Sequence, residues 1–264
     1  MIPLSRVSLV IPVCNQLLHT MQCLESMLRL PDKAGEIIVV DNASTDGTPE
    51  YLNSVGVTVI RNANNLGCAK AWNQGTQASK GDVIGILSND SIVTSGWLPA
   101  LLRFMEESGC GIVSPAMREG PLDYELDSYA AEFTAACRTA TRAGFLGPCM
   151  LVRRVVFDAI GLFDERFIYG GCEDVDFLWR AQKAEIKAAM TGSAFIHHFG
   201  MITQNTVKHT DSKAYPAPNV ADFRRKWGRT VRGNWFQRRW ARMKERWTER
   251  YERFRYGHTL VERG

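Results

Sequence analysis

The chain has 264 residues, of which 45% are apolar and 23% charged, a composition typical of a globular protein with a substantial core. No apolar run is long enough to span a membrane, and the N-terminal segment predicts a strand instead of a secretory signal. The seven cysteines are scattered and form no CxxC pair, which favours reduced thiols in the cytoplasm over disulfides or structural zinc. The net charge of +4 is unevenly distributed, because residues 220–264 carry 14 Lys/Arg against 5 Asp/Glu, whereas residues 1–219 carry 18 against 23.

Apolar, β-branched runs alternate with helical patterns through the first hundred residues. The predicted strands are "RVSLVIPV", "EIIVVDN", "GVTVIRN" and "DVIGIL". The predicted helices lie around "LLHTMQCLESMLRL", after "TDGTPEYL" and in "CAKAWNQGTQASKG". Because strands buried on both faces lack the alternation of half-exposed strands, this pattern predicts a doubly wound, mostly parallel α/β sheet flanked by helices.

Polar segments follow these strands, at "PVCN" (12–15), "DNASTDG" (41–47), "RNANNLG" (61–67) and "SNDS" (88–91). Ligands of doubly wound sheets bind beyond the C-terminal strand ends, so these segments form the candidate site. Asp41 can accept a hydrogen bond from a nucleobase ring N–H, or cap a helix or turn. Asp90 can hold a ligand, or simply belong to the turn that closes its strand. The "NNLGCAK" segment suits the approach of a phosphate to a helix start.

The second half of the chain begins with a helix in "GWLPALLRFMEES" and a strand in "CGIVSPAM". Residues 117–143 are polar and poorly patterned, which predicts a mobile loop region. "FLGPCMLVRRVVFDAIG" predicts a turn, a strand and a helix. A clear helix follows from about Glu173 to Lys183, and "KAAMTGSAFIHHFG" is the predicted final strand.

Two further pairs of polar residues are candidates for a catalytic or metal-binding role. Glu173 and Asp174 in "CEDVDF" head a predicted helix after two glycines. They fit either a general base on a closing loop or an ordinary acid-rich helix N-terminus. His197 and His198 end a strand, where neighbours point to opposite faces, so one of them would normally face a given site. That histidine is either a metal ligand or a plain core or surface imidazole.

The chain resembles the family 2 glycosyltransferases with the GT-A fold in segments that follow one another in order: "VSLVIPVCN", "IIVVDNASTDGT", "NNLGCAKAWNQG", "LSND", "FLGPCMLVRR", "GLFDERF", "EDVDFLWR" and "HHFG". The resemblance covers roughly residues 6–205 and is greatest to the bacterial rhamnosyltransferase-like branch, which works on surface polysaccharides or glycoconjugates. It implies a metal-dependent, inverting transfer of a sugar from dTDP-rhamnose or a UDP-sugar to a hydroxyl of a glycan or glycolipid. A catalytically weak sugar-nucleotide-binding or scaffolding homologue is the alternative.

The resemblance also implies roles for individual residues. The nucleotide-sugar contacts would come from Pro12, Val13, Asn15, Asp41, Asn42, Asn65, Gly67, Lys70, Ser88, Asn89 and Asp90. Ser88-Asn89-Asp90 matches the family's DXD-type motif, whose last acid binds a metal, Mn²⁺ or Mg²⁺, that bridges the diphosphate. Because Ser88 replaces the first acid, a second ligand gains importance. His198 fits that role best, since its spacing to Thr203 resembles the family pattern, and His197 is the second candidate.

Asp174 would be the catalytic base, with Glu173 as the alternative. It would take a proton from the acceptor hydroxyl as that oxygen attacks the anomeric carbon opposite the diphosphate. The acceptor groove would be bordered by Gly147, Cys149 and Arg153, and Asp176 would orient the acceptor or the loop. These assignments place a catalytic domain at residues 1–219, with a nucleotide-sugar half to about residue 115 and an acceptor half from about residue 116.

The basic tail at residues 220–264 predicts an amphipathic helix. Spacings of 4, 3, 4, 4 and 3 place one face at Phe236, Trp240, Met243, Trp247, Tyr251 and Phe254. This face can lie on an anionic membrane, form a homo-oligomer interface through residues 235–255, or fold back on the catalytic domain. The charge excess favours the membrane, which predicts a cytoplasmic protein on the inner face of the membrane. Nucleic acid is disfavoured, because no base-reading fold accompanies the charge.

Overall fold

A mixed β-sheet forms the centre of the computed structural model, which describes residues 2–168, 170–200, 202, 217–231 and 235–263. Its strands in these ranges are β1 (Val7–Val13), β2 (Glu36–Asn42), β3 (Thr58–Asn62), β4 (Val83–Leu87), β5 (Ser91–Val93), β6 (Ile112–Glu119), β7 (Thr141–Ala143), β8 (Cys149–Arg153), β9 (Ala188–His198) and β10 (Val261–Arg263). The helices are α1 (Leu17–Leu28), α2 (Thr48–Ser54), α3 (Cys68–Ala78), α4 (Trp97–Ser108), α5 (Leu126–Cys137), α6 (Arg154–Ile160), α7 (Glu173–Lys183), α8 (Ala217–Trp227) and α9 (Trp235–Tyr256).

The first half of the sheet is parallel, in the order β3-β2-β1-β4. Val13 at the end of β1 pairs with Asp41 near the end of β2, so the polar segments after these strands share one edge. Helices connect the strands and cover both faces, as parallel connections require. The predicted doubly wound arrangement is confirmed for this half.

The second half of the sheet adds antiparallel strands. β8 runs antiparallel to β4, with Cys149 opposite Leu87 and Arg153 opposite Val83. β6 lies between β8 and the parallel strand β9, and the short β5 pairs antiparallel with the end of β9. These pairings bring the polar ends of β4, β6 and β9 to the same edge as those of β1 and β2.

The core lies on both faces of the sheet because successive strand residues point to opposite sides. Leu9 packs with α1 and α4 on one face, in a cluster that includes Leu24 and Leu101. Val10 packs on the other face with α3 and α7, in a cluster that includes Trp72 and Phe177. The edge that carries the polar segments is therefore held between two packed layers.

Two sequence predictions about the second half are wrong. Residues 117–143 are not a loop region, because they contain the end of β6, helix α5 and strand β7. Phe133 of α5 is fully buried against Phe195 of β9, with ring centroids 4.8 Å apart. β9 is not the final strand either, because β10 pairs in parallel with β6 and places Val261 opposite Met117.

The tail contains two helices that both contact the rest of the molecule. The predicted boundary at residue 219 lies inside α8, and β10 belongs to the central sheet. Near the end of α9, the buried Glu252 carboxylate accepts hydrogen bonds from Arg142 Nε at 3.0 Å and from the Leu260 N–H at 2.9 Å. The end of α9 and the strand β10 are thereby fixed to the sheet.

Candidate functional site

A cavity of about 330 Å³ lies where the polar ends of the two halves of the sheet meet. The first half contributes Pro12, Val13, Cys14, Asn42, Asn65, Gly67, Cys68 and Trp72 to its lining. The remaining lining residues are Ser88, Asn89, Asp90, Glu119, Gly147, Pro148, Gly171, Glu173, Asp174, His198 and Ile202. The structure thus brings together most residues that the sequence predicted for the site, although they come from segments far apart in the chain.

The segments after β1 and β2 are tied together by Asn15. Its backbone N–H donates to Ser44 Oγ at 2.7 Å, and its Oδ1 accepts from the N–H of Thr45 at 2.7 Å. Asn15 adopts a positive φ of 56°, a conformation that Asn tolerates better than most residues. Asn15 therefore shapes the edge of the cavity by holding two loops together, and it is not itself a lining residue.

Asp41 is fully buried at the end of β2. Its Oδ1 accepts the N–H of Ser44 at 2.9 Å, which confirms the turn-capping interpretation for one oxygen. Its Oδ2 lies 3.2 Å from Arg61 Nη1 but has no well-aligned hydrogen bond among the described residues. Oδ2 is thus paired with the charge of Arg61 and keeps the capacity to accept a well-aligned hydrogen bond, although Asp41 is not itself a lining residue of the cavity.

The start of α3 forms the next part of the lining. Asn65 Oδ1 accepts the N–H of Gly67 at 2.9 Å, and Asn42 Nδ2 donates to the carbonyl of Gly67 at 3.3 Å. Gly67 has a φ of +82°, which favours glycine at the turn into the helix. Lys70, which was predicted to approach the diphosphate, is exposed in the first turn of α3 and does not line the cavity.

Asp90 lies at the centre of a buried polar cluster that crosses the sheet edge. Ser88 Oγ donates a short hydrogen bond to Asp90 Oδ1, and the Ile202 N–H donates to Oδ2 at 3.2 Å. His198 Nε2 lies 3.3 Å from Asp90 Oδ1, while its Nδ1 lies 3.3 Å from Glu119 Oε2. The imidazole is therefore held between two carboxylates, and the hydroxyl that replaces the first acid of the motif orients Asp90.

The charges of this cluster shift its proton equilibria. Burial opposes a charged His198, but the hydrogen bonds and charges of Asp90 and Glu119 outweigh it and raise the pKa of His198 to about 9. Burial likewise opposes a charged Asp90, yet the hydrogen bond and charge of His198 hold its pKa at about 2. Both shifts favour an imidazolium between two carboxylates while no metal is bound.

Glu173 and Asp174 enter the cavity from the N-terminus of α7. Asp174 Oδ1 accepts the N–H of Val175 at 2.8 Å. A Cβ on Gly147 would lie 2.9 Å from Asp174 Oδ2, so a glycine at that position leaves this oxygen accessible. Glu173 is 3% exposed, and its Oε2 has no hydrogen-bond partner among the described residues. Burial raises the pKa of both carboxyl groups, and the charge of Asp174 raises that of Glu173 further.

The segment that precedes these carboxylates is held by Asn219 of α8. Asn219 Oδ1 accepts the N–H of Ile168 at 3.0 Å. Its Nδ2 donates to the carbonyls of Ile168, Gly170 and Gly171 at 2.8, 3.1 and 3.0 Å. Asn219 itself is 1% exposed, so these contacts are shielded from water. One side chain of α8 therefore fixes the backbone that leads into the N-terminus of α7.

Asp176 belongs to the same junction and not to the cavity. It is fully buried, and its Oδ2 accepts from Arg180 Nε at 2.9 Å. Its Oδ1 accepts from Trp227 Nε1 at 2.8 Å and lies 2.7 Å from Lys226 Nζ. The prediction that Asp176 binds the acceptor is not supported, because α7 and α8 occupy both carboxylate oxygens. Its placement agrees with the alternative that it orients the loop.

Other predicted residues also lie away from the cavity. Arg153, which was predicted to border the acceptor groove, does not line the cavity, because β8 runs antiparallel and places it at the opposite end of β4, beside Val83. Cys149 is fully buried between strands. His197 lies on the other face of β9, where its Nδ1 is 2.9 Å from the Tyr124 hydroxyl, so of the two histidines His198 is the one that lines the cavity. Thr203 lies outside the described residues.

Glu119 is the main site residue that the sequence did not predict. It ends β6, and the register of β6 with β9 places it beside His198. Its segment was interpreted as the beginning of a loop. No motif marks this carboxylate, because its place beside His198 depends on the pairing of β6 with a strand whose last residue is 79 positions further along the chain. The sequence signal that could have indicated Glu119 is the apolar run of β6, because a strand of that length reaches the edge of the sheet where the other polar segments lie.

Residues 8–161, more than half of the chain, match the profile of Glycosyl transferase family 2. The chain belongs to this family. Among curated relatives, glycosyltransferase GlyG of Streptococcus pneumoniae is 30% identical over 112 residues, which cover 40% of this chain and 37% of that protein. The uncharacterized protein Mb1552 of Mycobacterium bovis is 26% identical over 211 residues, which cover 77% and 78% of the two chains. The matched part of this family 2 glycosyltransferase chain thus covers little more than a third of the length of GlyG and about three quarters of the length of Mb1552.

Solved structures resemble the family 2 chain in fold. GalNAc-T7, crystallised with UDP, GalNAc and Mn²⁺, has a TM-score of 0.59 and 19% identity and matches 73% of this chain and 43% of its own. TarS of S. aureus has a TM-score of 0.58 and 17% identity, with coverages of 74% and 36%. Because both are GT-A glycosyltransferases, the predicted GT-A fold is confirmed.

Proposed function

We propose that this protein transfers a sugar from a nucleoside-diphosphate sugar to a hydroxyl group of a glycan or glycolipid acceptor, with inversion at the anomeric carbon. The observation that carries the proposal is that Asp174 and the Asp90–His198 pair line one cavity at the carboxyl edge of the sheet. A donor bound between them would have its diphosphate near the Asp90–His198 pair and its anomeric carbon near Asp174. Residues 1–219 supply all of these side chains, which supports the predicted catalytic domain.

The first half of the sheet would bind the nucleotide. Asp41 does not line the cavity, but Val13, which pairs with it, and the neighbouring Asn42 do, and its buried Oδ2, which lacks a well-aligned donor, would accept the ring N–H of a uracil or thymine. Uracil and thymine share this N–H, so both UDP-sugars and dTDP-rhamnose fit. The rhamnosyltransferase-like branch and a role in bacterial surface polysaccharide or glycoconjugate synthesis rest on the sequence resemblance alone.

A divalent cation fits the Asp90–His198 pair as a partner shared with the donor. The described residues contain no cluster of three or more His, Cys, Asp or Glu side chains that would hold a metal alone. A carboxylate and an imidazole nevertheless suit Mn²⁺, and Mg²⁺ sites commonly combine one or two carboxylates with water and substrate phosphates. A bound cation would supply charge neutralisation for the departing diphosphate. Ser88 would contribute by orienting Asp90.

Asp174 would act as the general base. Its raised pKa brings it closer to the working pH, which increases its strength as a base, and Oδ2 faces space that Gly147 leaves open. As the acceptor oxygen forms its bond to the anomeric carbon, the bond from that carbon to the diphosphate breaks with its electron pair, and the hydroxyl proton passes to Asp174. Attack from the face opposite the diphosphate inverts the configuration.

The test compares Asp174→Asn with Glu173→Gln as a matched neutral substitution of the neighbouring carboxylate. Release of UDP or dTDP from a panel of nucleotide sugars, with Mn²⁺ or Mg²⁺ and a pool of acceptors, should fall about 10²–10⁴-fold in Asp174→Asn and much less in Glu173→Gln. Thermal stabilisation by UDP or dTDP should persist in both variants, because neither change removes a nucleotide contact.

Each other outcome has a defined meaning. A larger loss in Glu173→Gln would transfer the role of base to Glu173. Stabilisation by a nucleotide without turnover of any donor would favour a sugar-nucleotide-binding or scaffolding protein, the alternative that Ser88 suggests. A protein whose thermal stability responds to no nucleoside diphosphate or sugar nucleotide would overturn the proposal.

We place the activity in the cytoplasm, as the sequence predicts.

A further inference from the structure

Helix α9 exposes a row of large apolar side chains. Trp240, Met243, Trp247, Tyr251 and Phe254, here called the aromatic stripe, are 69%, 44%, 68%, 60% and 90% exposed. Spacings of three and four residues place them on one face of the helix. The side chain of Phe236, predicted to begin this row, lies outside the described set. Large apolar residues that are exposed contiguously, and not singly, mark an interaction surface.

The opposite face of α9 is the one that contacts the protein. Glu252 is 4% exposed and forms an ion pair with Arg142, and Tyr256 packs on the cluster that contains Phe133. Because Glu252 lies across the helix from Phe254 and Trp247, these contacts turn the aromatic stripe outward. The stripe is therefore not folded back on the catalytic domain, which removes one of the three interpretations that the sequence allowed.

The charges of α9 are arranged around the stripe. The helix carries eight Lys/Arg and three Glu. At 3.6 residues per turn, basic side chains flank the stripe on both sides. Arg239, Arg246 and Arg250 lie along one side, and Lys244 and Arg255 lie along the other. The three acidic side chains, Glu245, Glu249 and Glu252, lie on the face away from it. An approaching surface would thus meet aromatic groups bordered by positive charge.

We propose that the aromatic stripe docks α9 in the headgroup region of an anionic lipid bilayer. A helix that is strongly amphipathic but low in overall hydropathy, with Trp and Phe on one face and Lys and Arg beside them, is suited to this position. Among the described helices, none is long and apolar enough to cross a membrane. With one apolar face and one charged face, α9 would lie in the plane of the surface.

A second copy of the chain is a poorer partner for the same face. Two stripes packed together would bring basic flanks against basic flanks, whereas paired helices usually place opposite charges beside their apolar seam. The acidic side chains that could compensate are on the far side of each helix, and Glu252 is already paired within the chain. An anionic bilayer complements both the apolar and the charged part of the surface.

The test is flotation of the full chain with phosphatidylcholine vesicles that contain or lack phosphatidylglycerol. We expect binding only to the anionic vesicles, with a marked decrease as salt is added. The variant W240S/W247S/F254S keeps every charge and should bind at least about tenfold more weakly, because it loses most of the apolar contact. Val155→Ser, which removes an exposed apolar side chain from α6, is the matched control and should bind as the original chain does.

Other results would overturn the proposal. Binding that is equal in the triple variant and the original chain would show that the stripe makes no membrane contact. An original chain that does not bind anionic vesicles would also rule out membrane docking. An original chain that sediments as a dimer, which the triple variant dissociates, would assign the stripe to a protein interface. Unchanged thermal unfolding of the triple variant, and unchanged stabilisation by UDP or dTDP, establish that its fold and its nucleotide site are intact.

Discussion

His198 unites the two halves of the site, because it contacts Asp90 from the loop after β4 and Glu119 from the end of β6. Both carboxylates lower the free energy of the imidazolium form, and both are stabilised by it in turn. An ion pair this deeply buried contributes to stability only while both partners remain charged. Its contribution therefore depends on pH in a way that can be measured.

We expect His198→Gln to destabilise the metal-free protein most in mildly acidic solution. The contribution of His198 is fully present below the unfolded pKa of about 6.5 and is lost as the pH rises through about 9. That of Asp90 is present above an unfolded pKa of about 3.9 and is lost as the pH falls through about 2. Urea unfolding with a chelator should show a deficit of about 2 kcal/mol near pH 5.5 that shrinks above pH 9. An equal deficit at both pH values would mean that the imidazole is neutral in the native protein.

Helix α8 positions the segment that leads to Glu173 and Asp174, although α8 lies beyond residues 8–161, the part that matches the family profile. Asn219 provides hydrogen bonds to Ile168, Gly170 and Gly171, while Lys226 and Trp227 hold Asp176 in the first turn of α7. Gly170 and Gly171 both have positive φ values, so their backbone would have many conformations without such contacts. The tail thus fixes the approach to Glu173 and Asp174.

Asn219→Ala should impair turnover more than donor binding. Loss of the amide leaves the N–H of Ile168 and three carbonyl groups without this partner, so the segment before Asp174 should lose its fixed conformation. We expect kcat to fall about tenfold with little change in the affinity for UDP or dTDP. Hydrogen exchange should quicken in the peptide that contains residues 168–174.

The control for Asn219→Ala is Asp222→Ala, on the same helix, which removes an ion pair with Arg225 that is not part of this junction. It should leave both kcat and the hydrogen exchange of residues 168–174 unchanged. If Asn219→Ala quickened exchange throughout the chain while the kcat of the remaining folded protein was normal, Asn219 would stabilise the fold without positioning the base.

Elements with strong periodicity were predicted from the sequence, and those defined by distant pairing were not. The strands of the first half and helix α7 agree closely with prediction, because their apolar runs and helix signals are local. Helix α5 was missed since its buried face, Ala130, Phe133 and Cys137, consists mostly of small side chains. Arg153 was predicted at the wrong end of the sheet because the sequence does not show that β8 runs antiparallel to β4. Glu119 was missed because it reaches His198 only through the register of β6 with β9. Strand direction and register depend on tertiary contacts that leave no local pattern.

At the scale of the whole molecule, the tail is joined to the sheet through Glu252. Its carboxylate contacts Arg142 from β7 through two hydrogen bonds of 3.0 and 2.5 Å and also accepts the N–H of Leu260, next to β10. This contact is largely buried, with side-chain exposures of 21% for Arg142 and 5% for Glu252. Removing one member of such a pair leaves a charge without its partner.

We expect Glu252→Ala to lower the free energy of unfolding by about 3 kcal/mol, because Arg142 and the Leu260 N–H both lose their partner. Glu245→Ala is the matched control on the same helix, since Glu245 is 45% exposed and lies 3.5 Å from Arg263. It should change stability by less than about 1 kcal/mol. Urea unfolding of both variants measures the difference, and similar small losses would mean that the tail is not integral to the fold.

The pairing of β10 with β6 has a consequence for how the molecule assembles. It joins Val261 to Met117 and Arg263 to Glu119, so α5 to α9 lie within the loop of chain that it closes. Closing a loop of this length is slow, because its entropy must be lost before the new contacts form. Until β10 joins the sheet, the end of β6 beyond its short pairing with β8 is an open edge. During that interval the strand that carries Glu119 is the part of the sheet most exposed to pairing with another chain.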